Sequence, residues 1–342
     1  MIPNFETISD FLRQSESEYQ VFELGRQIRP VTQSCFENLE NSRSPWPWPY
    51  LQQAWIGLVF WGENQDPQVW CLRFPLDEQG LLPPDQLGLF IAKLKNALAD
   101  NLKAVSEGKK IRAVMDGNPF VIELPEDRMA SFHAIIQCTL DLPPSEFYRS
   151  ARAYFETVSQ NPDKWTEIGI QGIADVCARH EEADVNQMLI QALPLLPDAP
   201  FFCVCQCLEH ESINTDMSAV LSKILSQSLA DPGRVASIMK AMSQSQSIEL
   251  RQQDQLAVLK SDIRSSPEVL TTLATRCPTD LSSESLTLPF LEALALLPTP
   301  AFKRIMSEIL FQASNRPAFM AAFRSPDRSN TLAEAIGELL KP

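Results

Sequence analysis

Three cysteines and a histidine crowd into "CVCQCLEH", residues 203–210. On a helix Cys203 and Cys207 stand one turn apart on the same face, with His210 three residues further on. That spacing lets three zinc-type ligands converge. A second Cys-x-x-His pair, Cys177 and His180, lies upstream and is the natural source of a fourth ligand. Against a metal, Cys205 shares the opposite side with Phe201, Val204 and Leu208, so the stretch is apolar nearly all round, as a helix inside an array is. There is no CxxC pair, and the balance favours buried free thiols and no metal.

Other chemistries have thinner support. The chain has 11 glycines but no GxG turn in which backbone amides close round a phosphate; the lone "GIQG" at 169–172 suits close helix packing better. Neither HExxH nor GxSxG occurs. His133, His180 and His210 all fall in helical patterns, where a lone histidine is more often a packing residue than a base. No cofactor is implied. In "RFPLDEQG" (73–80) and "MDGNPF" (115–120), Arg73 sits on one face of a strand while Asp77, Glu78 and Asp116 occupy turns. Together they could line a pocket with both charges, although Asp77–Gly80 is also an ordinary turn ending in Gly. The stretch "SPWPWPYLQQAWIGLVFW" (44–61) holds four of the six tryptophans. Pro45, Pro47 and Pro49 impose an extended path on Trp46, Trp48 and Tyr50, an arm leading into a strand that starts near Ala54. The arm either caps its own core, with Trp48 the more buried and Trp46 the more exposed, or is offered to a partner. Trp46, Trp48, Tyr50, Arg73 and Asp116 are therefore the candidate ligand- or partner-binding residues.

The elements behind these residues fall into two halves. Over residues 1–125, "YQVFELG" (19–25), "AWIGLVFW" (54–61) and "VWCLRFPL" (69–76) are aromatic and β-branched and bounded by turn residues, as strands are. The last two flank "GENQDP" and read as a hairpin. Residues 54–61 are apolar on both faces, so both faces need cover. A helix near 7–15 and a long one near 85–106, with Leu87, Phe90, Ile91, Leu94, Leu98, Leu102 and Val105 at helical spacing, can supply it. This half is α+β.

Over 126–342 strand-like runs fade and amphipathic helical stretches take over. Self-comparison aligns "IIQCTLDLPPSEF", "LIQALPLLPDAPF", "IMKAMSQSQSIEL" and "FLEALALLPTPAF". Cys138, Ala192, Ala241 and Ala293 then fall in register at spacings of 54, 49 and 52. Three helices fit between successive copies, the first set at 145–160, 164–179 and 183–195. Four units of about fifty residues read as a HEAT- or armadillo-like helical array in which neighbours bury one another's apolar faces. A compact helical bundle is the alternative.

Composition bounds the function. Acids outnumber bases 43 to 29, a formal charge of −14, so no basic stripe awaits phosphates and nucleic acid is an unlikely partner. The N-terminus "MIPNFETISDFLRQ" has acids where a secretory signal is basic, and nowhere do about 18 apolar residues run together. Eight cysteines at these spacings suit a reducing compartment. The expectation is a cytoplasmic protein with no membrane segment.

At "YQVFELGRQI", "PWPYLQQAWIGLVFW", "RFPLDEQGLL", "DGNPF" and "MASFHA" the chain resembles a bacterial family known as a domain of unknown function, number 3549. The resemblance spans most of the chain and implies no activity, ligand or catalytic residue. Two functions remain from the residues. The first is a non-enzymatic interaction or scaffold protein that binds a protein partner through its helical surface. The second is a small-molecule-binding or enzymatic α+β domain carried on a helical scaffold.

Overall fold

The computed structural model describes residues 5–63, 67–106, 115 and 117–341, without the side chains of 101–106. The chain divides into two compact units, Met1–Leu124 and Pro125–Pro342.

The first unit is built on a four-stranded antiparallel sheet of order β2-β1-β3-β4. Its strands are β1 (Glu18–Glu23), β2 (Arg29–Val31), β3 (Gln53–Trp61) and β4 (Gln68–Pro75). β3 and β4 pair in hairpin register, Trp55 opposite Arg73 and Gly57 opposite Cys71. Helices α1 (Ile8–Gln14), α2 (Gln33–Glu40) and α3 (Pro84–Ser106) complete the unit. Thr7 and Thr32 start the two short helices by accepting from Asp10 N and Cys35 N, each satisfying one orphan amide of the first turn. The core lies where Val21, Ile56, Leu58, Leu72 and Phe74 of the sheet meet Ile8, Leu12, Phe36, Phe90 and Leu94 of the helices. Phe22, Val59 and Cys71, on the other face, are buried too. Both edges are blunted. β2 has three residues and a proline, and residues 120–122 close β4 through Arg73 N to Phe120 O at 2.8 Å and Ile122 N to Cys71 O at 2.9 Å.

The second unit is all helical, so the chain as a whole is an α+β module followed by a helical array. It begins with α4 (Glu126–Thr139), α5 (Tyr148–Thr157), α6 (Ile170–Ala178), α7 (Ala183–Ala192), α8 (Asp198–Leu208) and α9 (Thr215–Gln227). It continues with α10 (Pro232–Ala241), α11 (Ile248–Lys260), α12 (Pro267–Arg276), α13 (Glu284–Leu294), α14 (Thr299–Phe311), α15 (Arg316–Phe323) and α16 (Asn330–Leu339). Apart from α5, which packs chiefly on α6, the helices pack mainly on those two places along: α6, α8, α10, α12, α14 and α16 form one layer, and α5, α7, α9, α11, α13 and α15 the other. α4 lies against α6 and α8.

This alternation corrects the fifty-residue unit. Three helices do separate Ala192, Ala241 and Ala293, and all three alanines are buried, but an odd number of helices changes layer at every step. Ala192 and Ala293 end α7 and α13 in one layer, while Ala241 ends α10 in the other. The repeat is a helical hairpin. Prolines mark it, standing at 125, 162, 197, 232, 267 and 298, in steps of 37, 35, 35, 35 and 31. Each sits at the start of an even-numbered helix or, for Pro162, of the 3-10 turn Pro162–Glu167 that leads into α6. There a missing N–H costs nothing, because the first-turn amides have no intrahelical acceptor.

Gly172 shows how tightly neighbouring helices approach. A Cβ there would stand 2.6 Å from Phe147 O and 2.9 Å from Ala151 Cβ on α5, so only glycine fits the crossing. Gly169, by contrast, is the N-cap of α6 with open space around it.

Candidate interaction site at the α4–α6 end

The cysteine cluster forms, with different members from those its spacing suggested. Packing of α6 on α8 brings the Cys177 thiol to Cys207, which also bonds Cys203 one turn earlier. Ser131 Oγ, from α4, donates to Cys207 Sγ at 3.7 Å. The histidines turn elsewhere. His180 places Nδ1 3.1 Å from Cys177 O and Nε2 3.3 Å from Ser212 O, while His210 Nε2 lies 3.6 Å from Glu209 Oε1. Among the described residues no group of three or more His, Cys, Asp or Glu side chains could hold a metal ion. Bonding to Cys177 and burial push the Cys207 thiol well above its usual range, and burial likewise raises Cys277 to about 12. Such thiols carry little thiolate and make poor nucleophiles. All eight cysteines are free.

Glu209, just past α8, is a second hub. Arg276 Nε approaches its carboxylate at 3.2 Å and Arg128 Nη1 at 3.7 Å, beside a cavity of about 220 Å³ that Lys240 also lines. Burial acts to raise the Glu209 carboxyl, but Arg276, His210 and Arg128 outweigh it and hold it below the usual range. Lys240 and Arg276 belong to the last turns of α10 and α12, where the helix dipole favours cations. The cluster is explained as structure.

In the first unit the proline arm is ordered the other way round from expectation. Trp46 is buried at 2 % exposure, held by its backbone N–H to Gly80 O at 2.8 Å, while Trp48 is half-buried against it, ring centroids 5.5 Å apart. The first ring reaches the core beneath the sheet; the second carries the Arg29 guanidinium at 5.3 Å. Tyr50 and Arg73 meet on Trp55, at 5.8 and 5.2 Å. The structure therefore groups Trp46 with Trp48, and Tyr50 with Arg73, through a residue outside the candidate set. Asp116 lies outside the described residues. Asp77 is taken up by its own turn, its Oδ1 accepting from Gln79 N and Leu81 N at 2.9 Å each. The turn residues Leu51 and Gln52 both have positive φ, at 50° and 58°, where asparagine and glycine are usual.

Sequence reasoning missed a site at the end of α4 and α6. Asp175 is buried in α6 and accepts from Ser145 N at 3.1 Å, from Ser145 Oγ, and from Gln171 Nε2 at 3.0 Å. These bonds fasten the 140–147 turn along α6. Arg179 completes the fastening by donating to Asp175 O at 3.2 Å and Leu142 O at 3.3 Å, its guanidinium 5.6 Å from the Tyr148 ring centroid. Between the two helix ends lies a cavity of about 340 Å³ lined by Gln137, Cys138, Asp141, Arg179, Glu181 and Glu182 together with Leu142 and Ala178. Leu142 is 42 % exposed and nearby Phe147 46 %. Glu211, just beyond α8, is pushed up to about 8 by burial and the Glu181 charge. The available sequence signal was the gathering of acids at helix boundaries: Asp141 follows α4, Glu181 lies between α6 and α7, and Glu182 caps the start of α7.

No described helix is long and apolar enough to cross a membrane. Neither the curated proteins nor the solved structures contain a significant match to this chain. A family model described as "Protein of unknown function (DUF3549)" does match, over residues 3–340, and the chain belongs to that family.

Proposed function

We propose that the chain is a non-enzymatic cytoplasmic interaction protein whose helical array holds a protein partner. The observation that carries this reading is the α4–α6 end, where Arg179 and the exposed Leu142 line a polar cavity, with Tyr148 against Arg179 and the exposed Phe147 next to it in the chain. Apolar and aromatic anchors beside an arginine are the composition of protein contacts. The supporting frame is rigid, since Asp175 and Arg179 tie the turn to α6. The buried thiols, and His180 between two carbonyl oxygens, have structural work instead of reactive surroundings.

Affinity isolation of the tagged full chain from its native host, beside a Leu142→Ser, Phe147→Ser variant, tests the reading. Both side chains are partly exposed, so melting should change little. A protein retained by the wild type and lost by the variant is the expected result. Equal retention by both, or none by the wild type, refutes it.

A further inference from the structure

We infer that the helical array from α6 to α15 bends about one edge: the turns inside its hairpins form a stiff spine, while the opposite edge, made by the turns between hairpins, opens and closes. This goes beyond the interaction reading and stands without it.

The turns inside the hairpins are tied to one another at every step by polar groups. From α6–α7 to α8–α9, His180 Nε2 stands 3.3 Å from Ser212 O, and Asn214 Nδ2 donates to Asn186 Oδ1 at 3.1 Å. At the next step the Ser218 and Ser245 hydroxyls share a bond of 2.7 Å, Gln246 N donates to Ile213 O at 3.0 Å and Ser247 Oγ to Thr215 Oγ1 at 3.1 Å. Arg251 Nε and Gln255 Nε2 then donate to Asp280 Oδ2 at 2.6 and 2.8 Å, and Ser282 Oγ to Asn315 Oδ1 at 2.9 Å makes the last step. Arg276 Nε reaches back over two hairpins to Glu209 at 3.2 Å. Of these residues Ser218, Ser245, Arg251, Asp280 and Asn315 are buried.

The opposite edge is built differently. Leu193 and Leu196 are buried in its first turn, and Leu229, Ile263 and Leu297 pack on the core from the next three. Among the described residues from α6 to α15 one side-chain bond crosses a step there, Arg234 Nη1 to Asp198 Oδ1 at 2.6 Å, and the Asp198 side chain is 76 % exposed.

The two kinds of contact resist displacement unequally. An N–H···O bond works over a window of about 0.5 Å and weakens steeply when bent, so a small shift breaks it. Where the groups are buried, the break leaves donor and acceptor with neither protein nor water. Apolar contact is non-directional and survives sliding. Each interface in a stacked array acts nearly alone, so small rotations at successive steps add. Rocking of one hairpin on the next therefore pivots at the polar turns and is taken up at the apolar ones. A surface carried by such an array adjusts its shape without breaking its polar ties.

The test uses the full chain with spin labels on genetically encoded ketone residues, read by double electron–electron resonance. Glu181 with Thr279 in the polar turns, and Leu195 with Leu296 in the apolar ones, each span three hairpin steps, and all four sites are exposed. The distance distribution for 181–279 should be about half as wide as that for 195–296. Arg251→Met with Asp280→Leu removes one tie without stranding a charge, and should widen the 181–279 distribution while leaving 195–296 nearly as it was. Equal widths for the two wild-type pairs, or a wider 181–279, overturn the proposal. An unchanged 181–279 width in the folded double variant also overturns it, because the polar ties would then not be what stiffens that edge. Should that variant fail to fold, Ser218→Ala with Ser245→Ala weakens the preceding tie and is read in the same way.

Discussion

Replacing Asp280 with alanine should loosen the middle of the array more than any surface change. Asp280 lies in the short turn between α12 and α13, and its two oxygens accept Arg251 Nε at 2.6 Å, Arg251 Nη2 at 2.7 Å and Gln255 Nε2 at 2.8 Å. Arg251 Nη1 donates to Ser245 O at 2.8 Å, in the turn between α10 and α11, so this one pair ties together four successive helices. Both side chains are nearly dry, 11 % and 6 % exposed. Burial acts to lower the Arg251 pKa, but the Asp280 hydrogen bonds and charge outweigh it. Removing Asp280 strands a buried guanidinium with one carbonyl partner, which costs about 3–5 kcal/mol. For a unit of this size each kcal/mol is worth about 2–4 °C, so the melting point should fall by roughly 6–20 °C. Because most packing is between successive hairpins, amide exchange should speed up most in α11–α13. Replacing both partners, Arg251→Met with Asp280→Leu, removes the stranded charge and should recover most of the loss. A single-variant loss under about 1 kcal/mol would place the pair with exposed salt bridges and refute the reasoning, as would a double variant no better than the single.

Further outcomes are expected at Trp46, Gly172, Gly233 and Glu211. Trp46→Ala should cost about 3–5 kcal/mol by denaturant titration, as a fully buried ring does, whereas Trp46→Phe should cost much less, since the indole Nε1–H it removes has no partner. Gly172→Ala should destabilise by about 1–3 kcal/mol, because its Cβ meets backbone at 2.6 Å. Gly233→Ala on α10 meets nothing closer than 3.5 Å and should be neutral or mildly stabilising by thermal melting. For Glu211 the folded pKa, about 8, lies above the ordinary 4.5, so the folded state holds its proton more tightly than the unfolded one. Its contribution to stability is complete below about 4.5 and falls as pH rises to about 8. Glu211→Gln should therefore gain on wild type from pH 5 to pH 9; a difference independent of pH would refute the assignment.

The amino-acid sequence by itself determined the kinds of element and their order. β-branched and aromatic runs made β1, β3 and β4, and apolar residues at helical spacing made α1 and α3, because period and composition are local properties. The short elements β2 and α2 escaped: three residues with a proline, and eight with few apolar positions, acquire their structure by pairing with β1 and packing beneath the sheet. The hairpin period was written in the prolines, one near each even-numbered helix start, yet the small-residue register drew attention to a three-helix step. Only the alternation of layers distinguishes the two, since layering is a relation between helices distant in the chain. The same holds for the chemistry. Cys177 meets Cys207 and Asp280 meets Arg251 because α6 packs on α8 and α11 on α13, contacts that no spacing along the chain encodes. The carboxylates at 141, 181 and 182 were visible as charges. That they stand unpaired round one cavity was decided by tertiary structure, because a charge's cost depends on which helix ends and counter-ions the fold sets beside it.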